Sequence, residues 1–276
     1  MDSGPTGRAS DRSIPRSGSH FAGFTDLPKL ESIFFPAQRR SNAIARWRQG
    51  MYSRLRRARL VTGNSTPTLK SRPVFAWIYD RLARNMERGP VGRYRRELLA
   101  PVTGKVIEIG GGTGENIKHY SPLTTQVVLS EPDRFMLKRA QHRDVRHASH
   151  LEFVRAPGEN LPFGDETFDA AVATLVLCSV TDQAVVLGEI KRVLRPGGTL
   201  HFFEHVLDED SERIARRQRR WAGIWSRVGA GCRPDRTTAQ AIEEAGFEIS
   251  ELRQFPMPGA PKLVRPHIFG EALKPE

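Results

Sequence analysis

The chain has 276 residues and a formal net charge of +12. Residues 1–75 contain 14 Lys and Arg against 4 Asp and Glu, which supplies +10 of that charge, and the remaining residues are nearly neutral with 29 basic and 27 acidic side chains. This distribution excludes a strongly basic, nucleic-acid-binding face on the main part of the chain. The two cysteines, Cys178 and Cys232, match no metal-ligand spacing and form no disulfide framework, so the sequence predicts no metal site and favours a reducing compartment.

Residues 1–62 are predicted to form a basic, partly disordered extension, because the first thirty are rich in Ser, Gly, Pro and Arg without any period. Farther along, Ile44, Trp47, Met51 and Leu55 follow helical spacing with arginines beside them. We expect a cytoplasmic protein in which this amphipathic stripe makes peripheral contact with an anionic membrane. A helix docked on the main domain and an organellar transit peptide are the alternatives.

Residues 73–276 are predicted to form one α/β domain. Pro73 opens a helix that is broken at Gly89-Pro90 and followed by a second helix to about Ala100, and this pair is placed to cover a cofactor site, with Tyr79 facing it. From Lys105 strands and helices alternate, which predicts a mostly parallel seven-stranded sheet with helices on both faces. The predicted strands are 105–110, 126–131, 151–155, 168–174, 199–205, 247–254 and 266–272. The predicted helices between them are 114–120, 133–146, 181–194, 209–226 and 237–245.

The stretch from Lys105 to Gly114 reads as a short buried strand followed by a glycine turn. Gly110, Gly112 and Gly114 let the backbone turn tightly and approach a ligand, and a helix is expected to start near Gly114. A dinucleotide fingerprint requires a third glycine where Glu115 stands, so a pyrophosphate ligand is disfavoured. Two carboxylates accompany the turn. Glu108 precedes the glycines, at a position suited to an amino group, and Glu131 ends the next strand at the height of a ribose.

Further stretches along the chain extend the pattern. Together with Glu108–Gly114, the stretches Ala156–Phe163, Phe168–Val172 and Val193–Gly198 resemble those of a class I S-adenosylmethionine-dependent methyltransferase with a methyltransferase type 11 domain. More narrowly, the chain is similar to the methyltransferase-like alkyl-thiol S-methyltransferases in a second set of stretches, Thr174–Val180, Phe203–Val206, Gly231–Cys232 and Leu263–Gly270. Animal members of that family carry an apolar membrane-anchoring start, whereas this chain has a polar basic one.

The resemblance implies S-adenosylmethionine as the cofactor and assigns residues to it. The glycines allow close approach, Glu108 fixes the strand end or holds the methionine amino group, and Glu131 accepts hydrogen bonds from both ribose hydroxyls. Gly158 and Glu159 follow the third strand, where this fold receives adenine, and Leu175 lines the space between cofactor and acceptor. The full set of predicted cofactor-binding residues is Glu108, Gly110, Gly112, Gly114, Glu131, Gly158, Glu159 and Leu175.

An acceptor pocket is predicted from Tyr79, Cys178, Glu204 and Trp225. Cys178 is interpreted as a core residue and not as a nucleophile, because methyl transfer from a sulfonium needs no covalent enzyme intermediate. A thiol with a pKa of about 8.5 needs a proton acceptor, and an imidazole with a pKa of about 6.5 suits that role. His205 is the first candidate and His267 the second, each with a purely structural alternative.

The sequence therefore predicts methyl transfer to a small-molecule acceptor such as a thiol. The alternatives are C- or O-methylation of a quinone-like or lipid acceptor, a nicotinamide-dependent oxidoreductase, and a cofactor-binding protein without turnover. The sequence indicates no oligomeric state.

Overall fold

The computed structural model describes residues 86–143 and 150–276. The helix predicted from Pro73, Tyr79 within it, and the whole of residues 1–62 therefore lie outside the described residues, apart from a helical turn at Met86–Glu87. No described helix combines the length and the apolar character that crossing a membrane requires.

Seven strands form a single sheet in the order β3-β2-β1-β4-β5-β7-β6, and only β7 runs antiparallel to its neighbours. The strands are β1 Gly104–Ile109, β2 Thr124–Ser130, β3 Leu151–Val154, β4 Phe168–Thr174, β5 Leu194–His205, β6 Glu248–Pro256 and β7 Pro266–Leu273. The α-helices are α1 Pro90–Leu99, α2 Arg134–Ala140, α3 Gln183–Val193, α4 Glu212–Val228 and α5 Thr238–Glu244. The predicted mostly parallel seven-stranded sheet is thus confirmed.

Alternation along the strands explains why both faces of the sheet are covered. Ile107 and Ala171 contribute to a core cluster with α3 and α5, whereas their neighbours Val106 and Ala170 contribute to a second cluster with α1. Successive side chains of a strand point to opposite faces, so strands that are apolar at every position require a layer on each side. The helix predicted to end near Ala100 supplies one of those layers.

The predicted helix over 114–120 is wrong. Residues 112–116 form turns, and only Ile117–His119 form a short 3-10 helix. Gly112 and Gly114 have φ values of 56° and 80°, which a right-handed helix does not accept, and the turn closes through i to i+3 hydrogen bonds such as Gly114 N to Gly111 O at 2.9 Å. The glycines therefore shape a tight turn in place of a helix start.

Two other boundaries differ from prediction. The helix predicted over 133–146 is α2, which begins after Asp133 because this side chain accepts from the amides of Phe135 and Met136. The fifth strand, predicted over 199–205, already begins at Leu194 as β5, so it includes the stretch Pro196–Gly198. A register shift against β4 absorbs this stretch, and Gly197 N donates to Lys274 O at 3.0 Å.

Candidate active site

The glycine turn follows β1, at the point of the sheet where β1 lies between β2 and β4. This is the switch point of a doubly wound sheet, where ligands bind at the carboxyl ends of the strands. Gly110 has a φ of 59°, and a Cβ placed on it would lie 2.2 Å from Val176 Cγ2. Only glycine fits there, because the loop that follows β4 packs directly on the turn.

Glu131 lies directly after β2 and is buried, with both carboxylate oxygens facing backbone amides. Its Oε2 accepts from Gly112 N at 2.9 Å and its Oε1 accepts from Asp133 N at 2.8 Å. Burial raises its pKa to about 7 against the opposing effect of these hydrogen bonds. Each oxygen retains acceptor capacity for a hydroxyl group, so the position fits the vicinal diol of a ribose.

Glu108 is held by side chains that the sequence analysis did not identify. Its two oxygens accept from Asn116 Nδ2 at 3.1 Å and from Tyr120 Oη at 2.8 Å, and burial raises its pKa to about 7. Asn116 also donates to Thr174 Oγ1 at 3.0 Å and accepts from Arg95 Nη1 at 2.9 Å. The network ties the ends of β1 and β4 together, as the strand-end role of Glu108 requires.

Beside this network lies a small cavity of about 20 Å³, lined by residues that include Glu108, Gly110–Thr113 and Thr174. A volume of this size accommodates one water-sized polar group. An amino group next to the Glu108 carboxyl fits that description. The glycine turn, the Glu131 carboxylate and this cavity thus offer close backbone approach, hydrogen-bond acceptors for a diol and space for one polar group, which are the features that S-adenosylmethionine requires.

The structure does not bring Gly158 and Glu159 into this network. Glu159 is half-buried, and its Oε1 accepts from Thr181 N at 3.2 Å, which links it to the segment before α3. A Cβ on Gly158 would approach Ile109 and Val186 at 3.1 Å, which indicates a packing role. Leu175, with a φ of 55°, donates its amide to Phe203 O at 2.8 Å and packs in the α1-side core. Among these three residues only Leu175 belongs to the loop after β4, which packs on the glycine turn.

Glu204 has a different role from the predicted one of lining the acceptor pocket. It is fully buried, and its carboxylate accepts from three successive amides, those of Val176 at 2.8 Å, Leu177 at 2.9 Å and Cys178 at 3.3 Å. Burial raises its pKa, against the opposing effect of these amides. Glu204 therefore positions the loop after β4 and does not face an acceptor.

The first candidate base, His205, ends β5 and lies opposite the second, His267, in the register of β5 and β7. Their ring centroids are 6.0 Å apart. Burial lowers the pKa of His267 to about 4, and its Nδ1 lies 2.9 Å from Arg265 O, so this ring is neutral at pH 7 with Nδ1 as the donor. The structure thus brings both predicted histidines to the same edge of the sheet as the glycine turn.

Two cysteines join His205. Cys232 Sγ lies 2.9 Å from His205 Nε2 and accepts from Trp225 Nε1 at 3.1 Å. Hydrogen bonding from the Cys178 thiol, followed by that from His205, lowers the pKa of Cys232 to about 5, whereas the pKa of Cys178 is raised, first by the same hydrogen bond and then by burial. The spacing of the cysteines in the sequence did not predict a role for Cys232. The one local indication was the preceding glycine, because Gly231 has a φ of 99° and a Cβ there would lie 2.9 Å from Ser179 O.

A groove of about 820 Å³ opens beside this cluster, between α4 and the strands β6 and β7. Trp225 belongs to its wall while it contacts Cys232, and Pro266 belongs to the wall next to His267. The wall also contains Ile214, Trp221, Ile224, Val228, Phe255 and Leu263, with Arg213, Arg217, Lys262 and Arg265 among them. The groove is therefore suited to an apolar ligand and is bordered by positive charge.

The sheet order, the glycine turn and the two strand-end carboxylates define a class I S-adenosylmethionine-dependent methyltransferase. Residues 107–202 match the family model described as "Methyltransferase domain". The chain is 36% identical over 193 residues to the human protein "Thiol S-methyltransferase TMT1B", a match that covers 65% of this chain and 78% of that one. The chain belongs to the family of these thiol S-methyltransferases, and it is an enzyme that uses S-adenosylmethionine.

Two further similarities are broader. Over 118 residues, 41% of this chain and 46% of the other, the chain is 41% identical to "Ubiquinone/menaquinone biosynthesis C-methyltransferase UbiE" of Pseudomonas fluorescens. The solved structure of the YcgJ protein from Bacillus subtilis superposes with a TM-score of 0.51 at 17% identity, covering 67% of this chain and 98% of that chain. This second likeness concerns the fold alone. Family membership decides against the nicotinamide-dependent alternative.

Proposed function

We propose that this enzyme methylates the sulfur of an apolar thiol, with S-adenosylmethionine as the donor. The observation that carries the proposal is the position of the groove. Its inner wall reaches the Cys232–His205 pair through Trp225, and the loop that carries Cys178 packs on Gly110 of the cofactor turn. A thiol in the groove would therefore lie between polarising side chains and the cofactor.

The bound cofactor supplies an electrophilic methyl group on a sulfonium, which is already a good leaving group. The chain's own residues then have to align the acceptor and exclude water, and alignment alone is worth roughly 7–11 kcal/mol. The carboxylate clamp of Glu204 fixes the loop on which Cys178 stands. His205 and His267 are the proposed groups for handling the proton of the thiol, His205 first because it contacts a second sulfur in the same cluster.

The proposal is tested by product analysis of the full chain with S-adenosylmethionine and a panel of alkyl and aryl thiols, matched alcohols, and quinols. We expect thioether products identified by mass, with the alcohols unreactive. Transfer confined to carbon or oxygen of the quinols would overturn the thiol assignment and favour C- or O-methylation, the second candidate. That candidate is favoured by the likeness to the UbiE protein, whose name states C-methylation.

We further propose that residues 1–62 give a cytoplasmic protein peripheral contact with anionic membranes. The support is their charge and the spacing of Ile44, Trp47, Met51 and Leu55. Deletion of residues 1–62 is expected to abolish sedimentation with phosphatidylserine vesicles and to leave turnover of a soluble thiol unchanged. Equal vesicle binding by the full and the shortened chain would contradict this part of the proposal.

A further inference from the structure

Three side chains that are distant in sequence meet where β5 ends. One ligand atom each from Cys178, His205 and Cys232 lies within 4.8 Å of the other two, and within the described residues this is the one set of three or more such groups so arranged. Cys178 and His205 are buried and Cys232 is half-buried. We propose that these three residues bind a zinc ion whose fourth position takes the acceptor thiol.

The distances in the cluster lie close to those of a zinc site. With Zn–S near 2.3 Å and Zn–N near 2.0 Å, tetrahedral angles place a sulfur and a nitrogen about 3.5 Å apart and two sulfurs about 3.8 Å apart. The ligand atoms of the cluster span from 2.9 Å, between Cys232 Sγ and His205 Nε2, to at most 4.8 Å. Shifts of well under 1 Å for each side chain bring the set to those values. Two thiolates and one imidazole form a donor set that selects zinc among the common divalent ions.

The backbone holds both cysteines in place. Glu204 accepts from the amide of Cys178, and Cys178 O accepts from Arg233 N at 2.8 Å, which joins the two cysteine loops. The absence of a side chain at Gly231 lets its loop approach Ser179 O. Backbone hydrogen bonds and close packing thus fix the two loops that carry the cysteines.

His205 is buried and turns one ring nitrogen toward the cysteines. This ring is only 7% exposed, and in the described part of the chain its Nδ1 has no hydrogen-bond partner while its Nε2 contacts a sulfur. The nitrogen that faces the two cysteines is Nε2, so this is the atom of His205 available to a metal ion in the cluster.

The cluster supplies three ligands, and the nearest carboxylate, that of Glu204, is already committed to three amides. Zinc sites with three protein ligands keep one position for water or substrate. Trp225, which contacts Cys232, belongs to the wall of the groove, so the open position faces the space proposed for the acceptor. This assignment of the fourth position rests on the proposed thiol specificity, whereas the metal site itself does not.

The chemistry balances without another reagent. The acceptor thiol loses its proton to solvent when its sulfur coordinates zinc, which makes it a thiolate at neutral pH. A sulfur lone pair then forms the new S–C bond, and the electron pair of the breaking C–S bond stays on the sulfur of the donor, which becomes uncharged. The thioether product is a weaker ligand and leaves. With zinc bound, His205 is a metal ligand and solvent takes the proton of the thiol, so the metal site replaces the proton-acceptor role that the proposed function gives to His205.

The first test measures zinc in the full chain, reduced and purified without chelator. We expect about one zinc per chain in the parent and less than one tenth of a zinc per chain in the Cys178→Ser, Cys232→Ser double variant. In His205→Asn we expect the affinity for zinc to fall at least tenfold. The matched control is His201→Asn, which removes another buried histidine of β5. Binding of S-adenosylhomocysteine and circular dichroism verify that each variant is folded. Zinc affinity of the folded double variant equal to that of the parent would overturn the site.

The second test replaces zinc with Co²⁺ and adds 2-mercaptoethanol. We expect thiolate-to-cobalt absorption that requires both cysteines, and a shift of the visible bands with 2-mercaptoethanol but not with 2-methylthioethanol. Unchanged bands with the thiol would overturn the assignment of the fourth position. The two proposals fail separately. Thiol methylation by a folded, zinc-free enzyme that takes up no zinc would overturn the metal site alone, whereas a zinc-bound enzyme that methylates no thiol would overturn the proposed substrate alone.

Discussion

The cofactor half and the proposed acceptor half of this active site lie on one edge of the same sheet but consist of different chemical groups. The cofactor half, at the ends of β1 and β2, consists of glycines, backbone amides and the two buried carboxylates Glu108 and Glu131. The acceptor half, at the ends of β4, β5 and β7, consists of thiols, imidazoles and an apolar groove. The first suits a polar, charged cofactor, and the second offers apolar surroundings to the acceptor, which we propose is a thiol. The comparison predicts which substitutions affect one half, both halves or neither.

The largest effect is expected at Gly110, where the halves touch. In Gly110→Ala the new methyl group would lie 2.2 Å from Val176 on the acceptor loop, and its φ of 59° is unfavourable for alanine. Strain and overpacking together predict a loss of about 3 kcal/mol in the free energy of unfolding. We expect binding of S-adenosylhomocysteine and thiol turnover to fall below detection, as measured by calorimetry and product analysis.

The control for Gly110→Ala is Gly197→Ala. Gly197 has a similar φ of 70° with no atom within 4 Å of the new Cβ. It therefore adds the backbone strain without the clash, and the expected loss is about 1 kcal/mol with cofactor binding intact. Equal behaviour of the two variants would show that the loop contact at Gly110 is unimportant.

The next largest effect is expected at Glu131, where a substitution should affect the cofactor half and leave the acceptor half unchanged. Glu131→Gln keeps the size of the side chain but replaces one carboxylate oxygen by an amide donor, next to the amide of Gly112 or Asp133. We expect the Kd of S-adenosylhomocysteine to rise more than tenfold, about 1.4 kcal/mol, and zinc content to stay unchanged. Glu152→Gln on β3, where the carboxylate accepts only a 3.3 Å bond from Gln126 among the side-chain bonds described, is the matched control. Unchanged affinity in Glu131→Gln would mean that the ribose lies elsewhere.

A pH dependence follows from the same carboxylate. The pKa of Glu131 is raised to about 7 by burial, so the ligand-free fold is most stable where this group is protonated. Stability is therefore full below the unfolded pKa of about 4.3 and is lost as pH rises through 7, by roughly 3 kcal/mol for this group. A diol that donates to the carboxylate favours its ionised form. The affinity for the cofactor is therefore expected to rise with pH, whereas the stability of the ligand-free fold falls.

We expect the affinity for S-adenosylhomocysteine to rise about tenfold between pH 6 and pH 8, while the melting temperature of the ligand-free protein falls over that range. Both are measurable by thermal denaturation with and without ligand. Glu108, whose pKa is also about 7, contributes in the same direction to stability, so Glu131→Gln is expected to reduce both trends without removing them. A melting temperature that rises with pH would contradict the burial argument.

The two halves also differ in how far the sequence could predict them. Glu108, the glycines and Glu131 lie within 24 residues, and strand period, glycine spacing and strand ends are local signals that placed them correctly at the switch point. His205, Cys178 and Cys232 belong to three separate segments, and they are brought together by the bond from Cys178 N to Glu204, by the bond from Arg233 N to Cys178 O, and by the contact of Cys232 with His205. Such contacts depend on tertiary packing, which residue spacing does not encode. The helix expected at 114–120 failed for a different reason, because Gly112 and Gly114 adopt positive φ values that glycine permits but glycine spacing does not reveal.

The smallest effect is expected at Glu159, a residue that the sequence assigned to adenine and the structure connects to the amide of Thr181. The hydrogen bond is exposed and 3.2 Å long, and such a bond contributes at most about 1 kcal/mol. Glu159→Ala is therefore expected to change the Kd of S-adenosylhomocysteine less than threefold and to leave zinc content and thiol turnover nearly unchanged. Calorimetry against the Glu131→Gln variant provides the scale. A tenfold loss at Glu159 would show that this side chain leaves Thr181 when the cofactor binds, and it would place the adenine beside the segment before α3, as the sequence suggested.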